Sequence, residues 1–369
     1  MSEAKASAFG VVKLYGEHAV VYGYHSAAVT IGRKADAVVS DANISGIEFQ
    51  LDDMGQKGSF SIEYVSKLFE DYKNAKDADR VEILRAEKEH RVNHISAFVE
   101  NAAKGGIQLG MLPYIIIAGR AMNEFNADVS GKKVRISSDI PISKGFASSA
   151  ACSTAFAVAL VNSLGIKTDE EMLIDIARDG DRVIHRNYSA GKIDVNASFY
   201  GGCIVYSDKD GAVREDVPPN LRLLIVDTGA KKPTSETVGA VAENYKKDPA
   251  GTTRIFDEIE RCTIDGVNAL KEGNLKRVGE LMYLNQEYLK RLGVSSSGLD
   301  ATVSKSRESG AYGAKLSGGG GGGIAIILAS NPEELSEKFS SEGFKTYLLG
   351  VEKEGAKNYI RRSKSISAQ

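Results

Sequence analysis

The segment Pro141–Ala151, PISKGFASSAA, holds the residues whose types and spacing are best suited to binding a ligand. A strand-like run, Val134–Ser137, precedes it, and a helix-like run of small residues, Ser148–Leu164, follows it. N–H groups in a helix's first turn lack partners and lie at the positive end of its dipole, so we expect phosphate to bind there. Ser148, Ser149 and Lys144 would add hydroxyls and a charge. Taken alone, the segment fits a serine-capped, tightly packed helix equally well, and the absence of GxxxxGK[ST] excludes a P-loop.

A second segment has six consecutive glycines, Gly318–Gly323, between Lys315-Leu316-Ser317 and the apolar run Ile324–Leu328. Each glycine costs roughly 0.5–1 kcal/mol relative to alanine, so we expect this backbone to approach another group closely. The run contains GxGxxG, but a β-branched run follows it where a dinucleotide fold requires a helix. The alternative interpretation is a flexible linker.

Two shorter segments place ionisable side chains next to glycines. Glu17 and His18 are adjacent in Gly16–Gly23, GEHAVVYG, which is compatible with a small-molecule site or with a turn that has no chemistry. Asp194 comes just before an apolar run that we predict to be a strand. A carboxylate at such a junction can orient or deprotonate a hydroxyl, although an Asx turn is the alternative.

Strands and helices alternate irregularly around these segments, which predicts an α+β protein of two lobes. Period-2 and β-rich runs predict strands at Val11–Leu14, Ala19–Tyr22, Ala27–Ile31, Gly46–Leu51, Ala197–Ser207, Leu221–Asp227 and Thr346–Gly350. Helical spacing predicts helices between Ile62 and Gly105, from a capping box at Thr168–Glu171 to His185, and near Ser235–Lys246, Thr253–Leu270, Leu275–Leu292 and Gly298–Ser309. The acidic, proline-containing segment Asp208–Asn220 is the predicted linker, which gives domains of residues 1–215 and 216–369.

The composition excludes several classes of protein. The 369 residues include 47 Lys and Arg against 49 Asp and Glu, so a formal charge of −2 provides no basic field for nucleic acid. A content of 42% hydrophobic and 26% charged residues is typical of a globular protein. The longest apolar runs are far shorter than the ~20 residues needed to cross a bilayer, and the first residues do not resemble a signal peptide. Three scattered cysteines favour neither disulfides nor zinc, so we expect a cytoplasmic protein. From the charge and the short apolar runs, we expect it to bind neither membrane nor nucleic acid.

Together and in this order, the four segments resemble the motifs of the GHMP small-molecule kinases, over a region from about Ala8 to Leu328. Within that family, GEHAVVYG and the run Gly313-Ala314-Lys315-Leu316-Ser317 are most similar to mevalonate kinases. The resemblance implies an N-terminal, nucleotide-binding lobe of the ribosomal-protein-like type and a C-terminal ferredoxin-like lobe. It also implies ATP and Mg²⁺ as cofactors, a small-molecule acceptor (mevalonate or a phosphorylated mevalonate), and compatibility with a homodimer.

The resemblance also assigns roles to residues. Asp194 matches the catalytic aspartate that activates the acceptor hydroxyl, and Ser149 and Asp181 match the residues associated with Mg²⁺. The residues expected to bind ATP are Lys144, Gly145, Phe146, Ala147, Ser148, Ser149 and Ala150. Those expected on the substrate side are Glu17, His18, Thr234, Ser235, Gly319 and Gly320.

The sequence departs from the family pattern in two places. Phe9-Gly10-Val11 stands where the family has Pro-Gly-Lys, and the next lysine is Lys13. Positions 11 and 13 of a strand share a face, about 6.5–7 Å apart, so Lys13 is a candidate replacement for the catalytic lysine. Ala147 stands where kinases of the family have glycine, as in the related decarboxylases. We therefore expect a mevalonate kinase activity, and keep as alternatives a decarboxylase of phosphorylated mevalonate, another GHMP kinase, and a relative that only binds ligand.

Overall fold

The structure, a computed structural model, describes residues 3–84, 93–219, 221–231 and 234–359. Within these residues, two β-sheets are each accompanied by helices, which confirms the α+β class and the two-lobed architecture. Among the described helices, none combines the length and apolarity needed to cross a bilayer.

The first lobe is built on a seven-stranded sheet. Its strands are β1 (Glu3–Tyr15), β2 (Ser26–Asp41), β3 (Ile47–Leu51), β4 (Gln56–Phe60), β5 (Lys132–Ser138), β6 (Cys203–Ser207) and β7 (Gly211–Glu215). Their order is β4-β3-β5-β2-β6-β7, and β1 pairs antiparallel with β2 outside this path. The long β1–β2 pair is therefore the scaffold from which Lys13 and the Glu17–His18 turn project.

Six helices of the described residues accompany this sheet. They are α1 (Ile62–Leu84), α2 (His94–Lys104), α3 (Leu112–Phe125), α4 (Ser148–Ser163), α5 (Glu170–His185) and α6 (Lys192–Tyr200). Helix α4 packs against β1, β2 and α5, and most of its residues are buried. Its alanines permit this close approach on every side, so the N-terminus of α4 is fixed in the middle of the lobe.

The second lobe has a four-stranded antiparallel sheet. In chain order its elements are β8 (Arg222–Lys231), α7 (Thr234–Lys247), α8 (Pro249–Lys271), α9 (Leu275–Arg291), α10 (Ser297–Glu308), β9 (Gly313–Ser317), β10 (Gly322–Leu328), α11 (Pro332–Ser341) and β11 (Lys345–Gly350). The strand order is β11-β8-β10-β9. Numbered within the lobe this is 4-1-3-2, and with two helical crossovers it is the ferredoxin-like arrangement.

Two predicted strands are helical in the structure. Ala19–Tyr22 is a 3-10 turn, because Gly16 and Gly23 have positive φ and the Val21 N–H bonds the His18 carbonyl three residues earlier. The first part of the predicted strand Ala197–Ser207 belongs to α6, whose inner and outer faces are both buried. A helix that is buried all round has no polar stripe, so periodicity cannot separate it from a buried strand.

Two smaller predictions also need correction, and one helix was not predicted. The cap of α5 is Asp169, which accepts from the Met172 N–H, and not Thr168 of the proposed capping box. The middle of the predicted linker, Gly211–Glu215, forms the hairpin strand β7, paired with β6. Helix α3 had no prediction, because its apolar residues are nearly continuous and show no helical stripe.

The end of the described chain returns to the first lobe. Val351 forms a bridge with Ile31, and a 3-10 turn at Ala356–Tyr359 places Ala356 in the main core. The Tyr359 carbonyl accepts from Asn162 Nδ2 at 2.8 Å. The predicted domain boundary at residues 215 and 216 stays a prediction, and this final segment packs on the lobe opposite to the one it was assigned to.

Candidate active site

One cavity of about 450 Å³ brings half of the predicted site residues together. The predicted residues on its wall are Lys13, Gly145, Phe146, Ala147, Ser148, Ser149, Asp194 and Gly319. The remainder of the wall is largely apolar and includes Leu51, Met54, Leu109 and Ile136. The cavity wall therefore combines charged and polar groups with a large apolar surface, which is compatible with a nucleotide.

The predicted phosphate loop leads directly into α4. Phe146 is buried, and its carbonyl accepts from the Val11 N–H at 2.9 Å, which ties the loop to β1. Ala147 has φ 53° and ψ 39°, so the chain turns sharply before Ser148 begins the helix. The N–H groups of Ser148, Ser149 and Ala150 belong to the first helical turn, where no intrahelical carbonyl is available to them. The loop thus places main-chain donors of Ser148 and Ser149 at the cavity wall.

Lys13 lies against Asp194. Its Nζ atom donates to both Asp194 carboxylate oxygens at 2.8 Å, and both side chains keep about a fifth of their surface exposed, 18% and 22%. Burial by itself would lower the pKa of Lys13, but the charges of Asp194, Glu17 and Asp181 outweigh it and raise that pKa. The ammonium therefore stays charged at neutral pH. Asp194 lies in the first turn of α6, not at the loop–strand junction expected from the sequence.

Ser149 and Asp181 meet through His185, which sequence reasoning did not single out. His185 Nε2 lies 3.3 Å from Ser149 Oγ and 3.5 Å from Asp181 Oδ1. The Asp181 charge raises the pKa of His185. Burial would raise the pKa of Asp181, but His185 and Ser149 lower it. The i, i+4 spacing of Asp181 and His185 on a helix was the signal that could have identified this pair.

The glycine segment is the tight connection between β9 and β10, which excludes the flexible-linker interpretation. Ser317 pairs with Ile324 across this hairpin. A Cβ at Gly320 would lie 2.1 Å from the Val294 carbonyl oxygen, so the close approach predicted from the sequence is made to another part of the protein's own backbone. Gly319 lines the cavity, and its carbonyl accepts from His18 Nε2 at 3.1 Å.

Several predicted site residues do not line the cavity. The carboxylate of Glu17 is buried in an ion pair with Lys315 of β9. Lys144 Nζ lies 2.9 Å from Asp227 Oδ2, at the second lobe. His18, Ala150, Asp181 and Gly320 also lie off the cavity wall. Thr234 and Ser235 begin α7, and their side chains lie outside the part of the chain that the structure describes.

Comparison with known proteins identifies the family of this chain. The family model "GHMP kinases N terminal domain" matches residues 113–202, and "GHMP kinases C terminal" matches residues 267–345. The two-lobed α+β fold therefore carries both domains of the GHMP class of small-molecule kinases. The chain belongs to the GHMP kinase family.

Within this family, the chain is similar to mevalonate kinases. It is 31% identical over 344 residues to the mevalonate kinase of Thermococcus sibiricus, with 90% of each chain covered. It is 26% identical over 359 residues to that of Aeropyrum pernix, covering 96% of this chain and 98% of the relative. The crystal structure of the Methanococcus jannaschii mevalonate kinase shares the fold, with a TM-score of 0.72 at 23% identity over 95% of this chain and 98% of the other.

Proposed function

We propose that this protein is an ATP-dependent kinase that phosphorylates the primary hydroxyl of mevalonate. The observation that carries the proposal is the placement of Asp194, held by Lys13, in the same cavity as the N-terminus of α4. The curated relatives named mevalonate kinase support mevalonate as the acceptor.

In this proposal, the first turn of α4 and the hydroxyl of Ser148 hold the phosphates of ATP. Phosphoryl transfer depends mainly on positioning and on neutralising charge, so the protein has little covalent chemistry to perform. Asp194 orients the acceptor hydroxyl and takes its proton as the oxygen bonds to the γ-phosphorus, while the bond to the β-phosphate oxygen breaks and ADP leaves. Lys13 holds the Asp194 carboxylate in place and offsets the charge that develops between the acceptor and the phosphate.

The residues predicted for Mg²⁺ are suited to a hard cation. Asp181 Oδ1 is buried and has no hydrogen-bond donor among the described residues, since His185 lies at ion-pair distance only. The described residues contain no group of three or more His, Cys, Asp or Glu placed to hold a metal. Such a sparse set fits Mg²⁺, which is usually held by one or two protein oxygens, waters and substrate phosphates. When bound, Mg²⁺ would neutralise phosphate charge beside Asp181 and Ser149.

Two departures from the family sequence pattern kept a decarboxylase as an alternative. The positions of Lys13 and Ala147 in the structure support the kinase instead. Lys13 reaches Asp194 from two residues beyond the family's usual lysine position. Ala147 adopts a left-handed conformation that glycine adopts easily, so the loop keeps its turn. A cytoplasmic location and a homodimer stay predictions from the sequence.

The proposal is tested by replacing Asp194. The Asp194→Ala variant should lose at least 10²-fold in kcat, because general-base and orienting groups contribute 10²–10⁴-fold. Its affinity for ATP should be nearly unchanged, since the phosphates are held elsewhere. ADP release should be measured with mevalonate and, separately, phosphomevalonate and mevalonate bisphosphate, with CO₂ assayed in parallel.

The matched control is Asp208→Ala, which breaks an exposed pair with Lys192 and should leave kcat unchanged. Turnover by Asp194→Ala at the parent rate would contradict the assignment of Asp194. Release of CO₂ with any of these compounds would favour the decarboxylase.

A further inference from the structure

Lys144, the lysine expected to bind phosphate, forms an ion pair outside the cavity. Lys144 is paired with Asp227 and lies off the cavity wall. Within the described chain, the basic residues on that wall are Lys13, His185 and Arg186. Lys13 donates to Asp194, and His185 faces Asp181 and Ser149. Arg186 is thus the basic residue whose charge is not used by another predicted catalytic or metal-binding group.

The backbone at Arg186 is strained. Its φ of 51° and ψ of 40° lie in the left-handed region, which a glycine would adopt without cost. The conformation is held by its neighbours, because the Arg186 N–H bonds the Val183 carbonyl at 3.3 Å and the Arg186 carbonyl accepts from Asn93 Nδ2 at 2.6 Å. Residues in this region cluster at ligand clamps and active sites.

The guanidinium of Arg186 is weakly held. Its one ion pair that the structure describes is with Glu100 of α2, at 3.7 Å, and the two side chains are 39% and 57% exposed. Exposed pairs of this length contribute little, so a stronger anion can displace Glu100. A guanidinium presents a planar fork of donors that matches two phosphate oxygens.

We infer that Arg186 binds the triphosphate of the nucleotide, releasing Glu100 when it does so. The inference rests on the proposed function for the identity of that nucleotide as ATP. It assigns to Arg186 the electrostatic role that the sequence suggested for Lys144, and it explains why an arginine occupies a position suited to glycine.

The test compares ligand binding by the parent and by Arg186→Gly, using calorimetry without acceptor. Glycine relieves the backbone strain, so this variant should fold and melt at or above the parent temperature. We expect the Kd for ATP to rise at least 10-fold and the Kd for adenosine to stay unchanged. Arg186→Lys should lie between the two, because it keeps the charge without the fork. An unchanged Kd for ATP in Arg186→Gly would overturn the inference.

Two control variants separate the side chain from the backbone. Asn126 is another residue in the left-handed conformation, at φ 48°, and it does not line the cavity. Asn126→Gly relieves the same kind of backbone strain and should leave the Kd for ATP unchanged. Glu100→Gln frees Arg186 and should leave the affinity equal or higher; a weaker affinity would contradict the inference.

The two proposals fail differently in these experiments. A parent protein that binds ATP through Arg186 but does not phosphorylate mevalonate would overturn only the proposed acceptor. If Arg186→Gly phosphorylates mevalonate at the parent rate and with an unchanged KM for ATP, only the role of Arg186 is overturned. A parent that fails to bind ATP would overturn both.

Discussion

Ala147 illustrates how a single residue stores strain in the site. It adopts a left-handed conformation at the entrance to α4, where the sequence pattern of the family has glycine. The preceding loop contains a second such residue, Ser143, at φ 60°. Both residues line the cavity, so the strain lies where the phosphate is expected to bind.

We predict that Ala147→Gly stabilises the protein. A left-handed L-residue costs roughly 1–2 kcal/mol, which glycine would relieve. The greater conformational freedom of glycine in the unfolded chain offsets about 0.4–1 kcal/mol of that stabilisation. The free energy of unfolding in urea should therefore rise by about 0.5–1 kcal/mol. The control is Ala150→Gly, at a helical position of the same helix, which should lose about 1 kcal/mol. Equal losses in the two variants would show that Ala147 is not strained.

Lys13 shows what the sequence can establish about a single residue. The period of a strand placed positions 11 and 13 on one face, and the structure puts Lys13 Nζ 2.8 Å from Asp194. Val11 is buried beside Ile193 and Ala197 of α6. The face was predictable because strand geometry is local. The partners of Lys144 and Glu17 were not, because they lie in the second lobe, distant in sequence.

Among the elements, the turn between β1 and β2 and the hairpin between β9 and β10 hold each other in place. His18 has φ 62°, and its Nε2–H donates to the Gly319 carbonyl. Burial lowers the pKa of His18 to about 4, and the nearby charges of Lys13 and Lys315 act in the same direction, against the hydrogen bond to Gly319. The neutral imidazole is therefore the form that joins the two elements at neutral pH.

We predict an acid-dependent loss of stability through His18. Between pH 6.5 and 4 the unfolded chain binds a proton at His18 that the folded protein does not, so stability falls as the pH falls through this window. A shift from 6.5 to about 4 corresponds to about 3 kcal/mol at 1.36 kcal/mol per pKa unit. The difference in unfolding free energy between pH 6.5 and 4 should be larger in the parent than in His18→Gln by about that amount.

This comparison isolates His18 from the other titrating groups. His25 and His185 have raised pKa values, which act in the opposite sense, but both are present in the parent and in the variant. Parallel stability curves for the two proteins would mean that His18 is not held neutral by the fold.

Helices were predicted most accurately where an apolar face alternates with a polar face in the sequence. The amphipathic helices α8 and α9 and the small-residue helix α4 lie close to their predicted positions. Helices α3 and α6 are buried on most sides and were missed or taken for strand. The turn Ala19–Tyr22 was predicted as a strand because its residues favour β structure, whereas the glycines on both sides decide its conformation.

Across the whole molecule, the two lobes are joined by polar contacts around the site. Lys144 of the phosphate loop pairs with Asp227 of β8. The Lys13 N–H donates to Ser317 Oγ of β9 at 2.8 Å. His25, at the start of β2, contacts Glu260 of α8 at 2.6 Å. The relative position of the lobes, and therefore the shape of the cavity, depends on contacts between segments remote in sequence.

The most buried of these contacts is the ion pair between Glu17 and Lys315. The two side chains are 1% and 0% exposed, and Glu17 Oε2 has no hydrogen-bond partner among the described residues. Burial lowers the pKa of Lys315, against the raising effect of Glu17. Burying two charges is costly, so such a pair need not add net stability, whereas removing one partner leaves the other charge unpaired.

We therefore predict strong coupling between these two residues. Lys315→Met should lower the free energy of unfolding by about 3–5 kcal/mol, because the carboxylate of Glu17 would remain buried without its cation. The double variant Glu17→Gln with Lys315→Met should recover most of that loss, since no charge remains. Lys192→Met, which breaks the exposed pair with Asp208, should cost under about 1 kcal/mol. If the double variant is as unstable as the sum of its single variants, measured by urea unfolding, the pair acts through packing and not through charge.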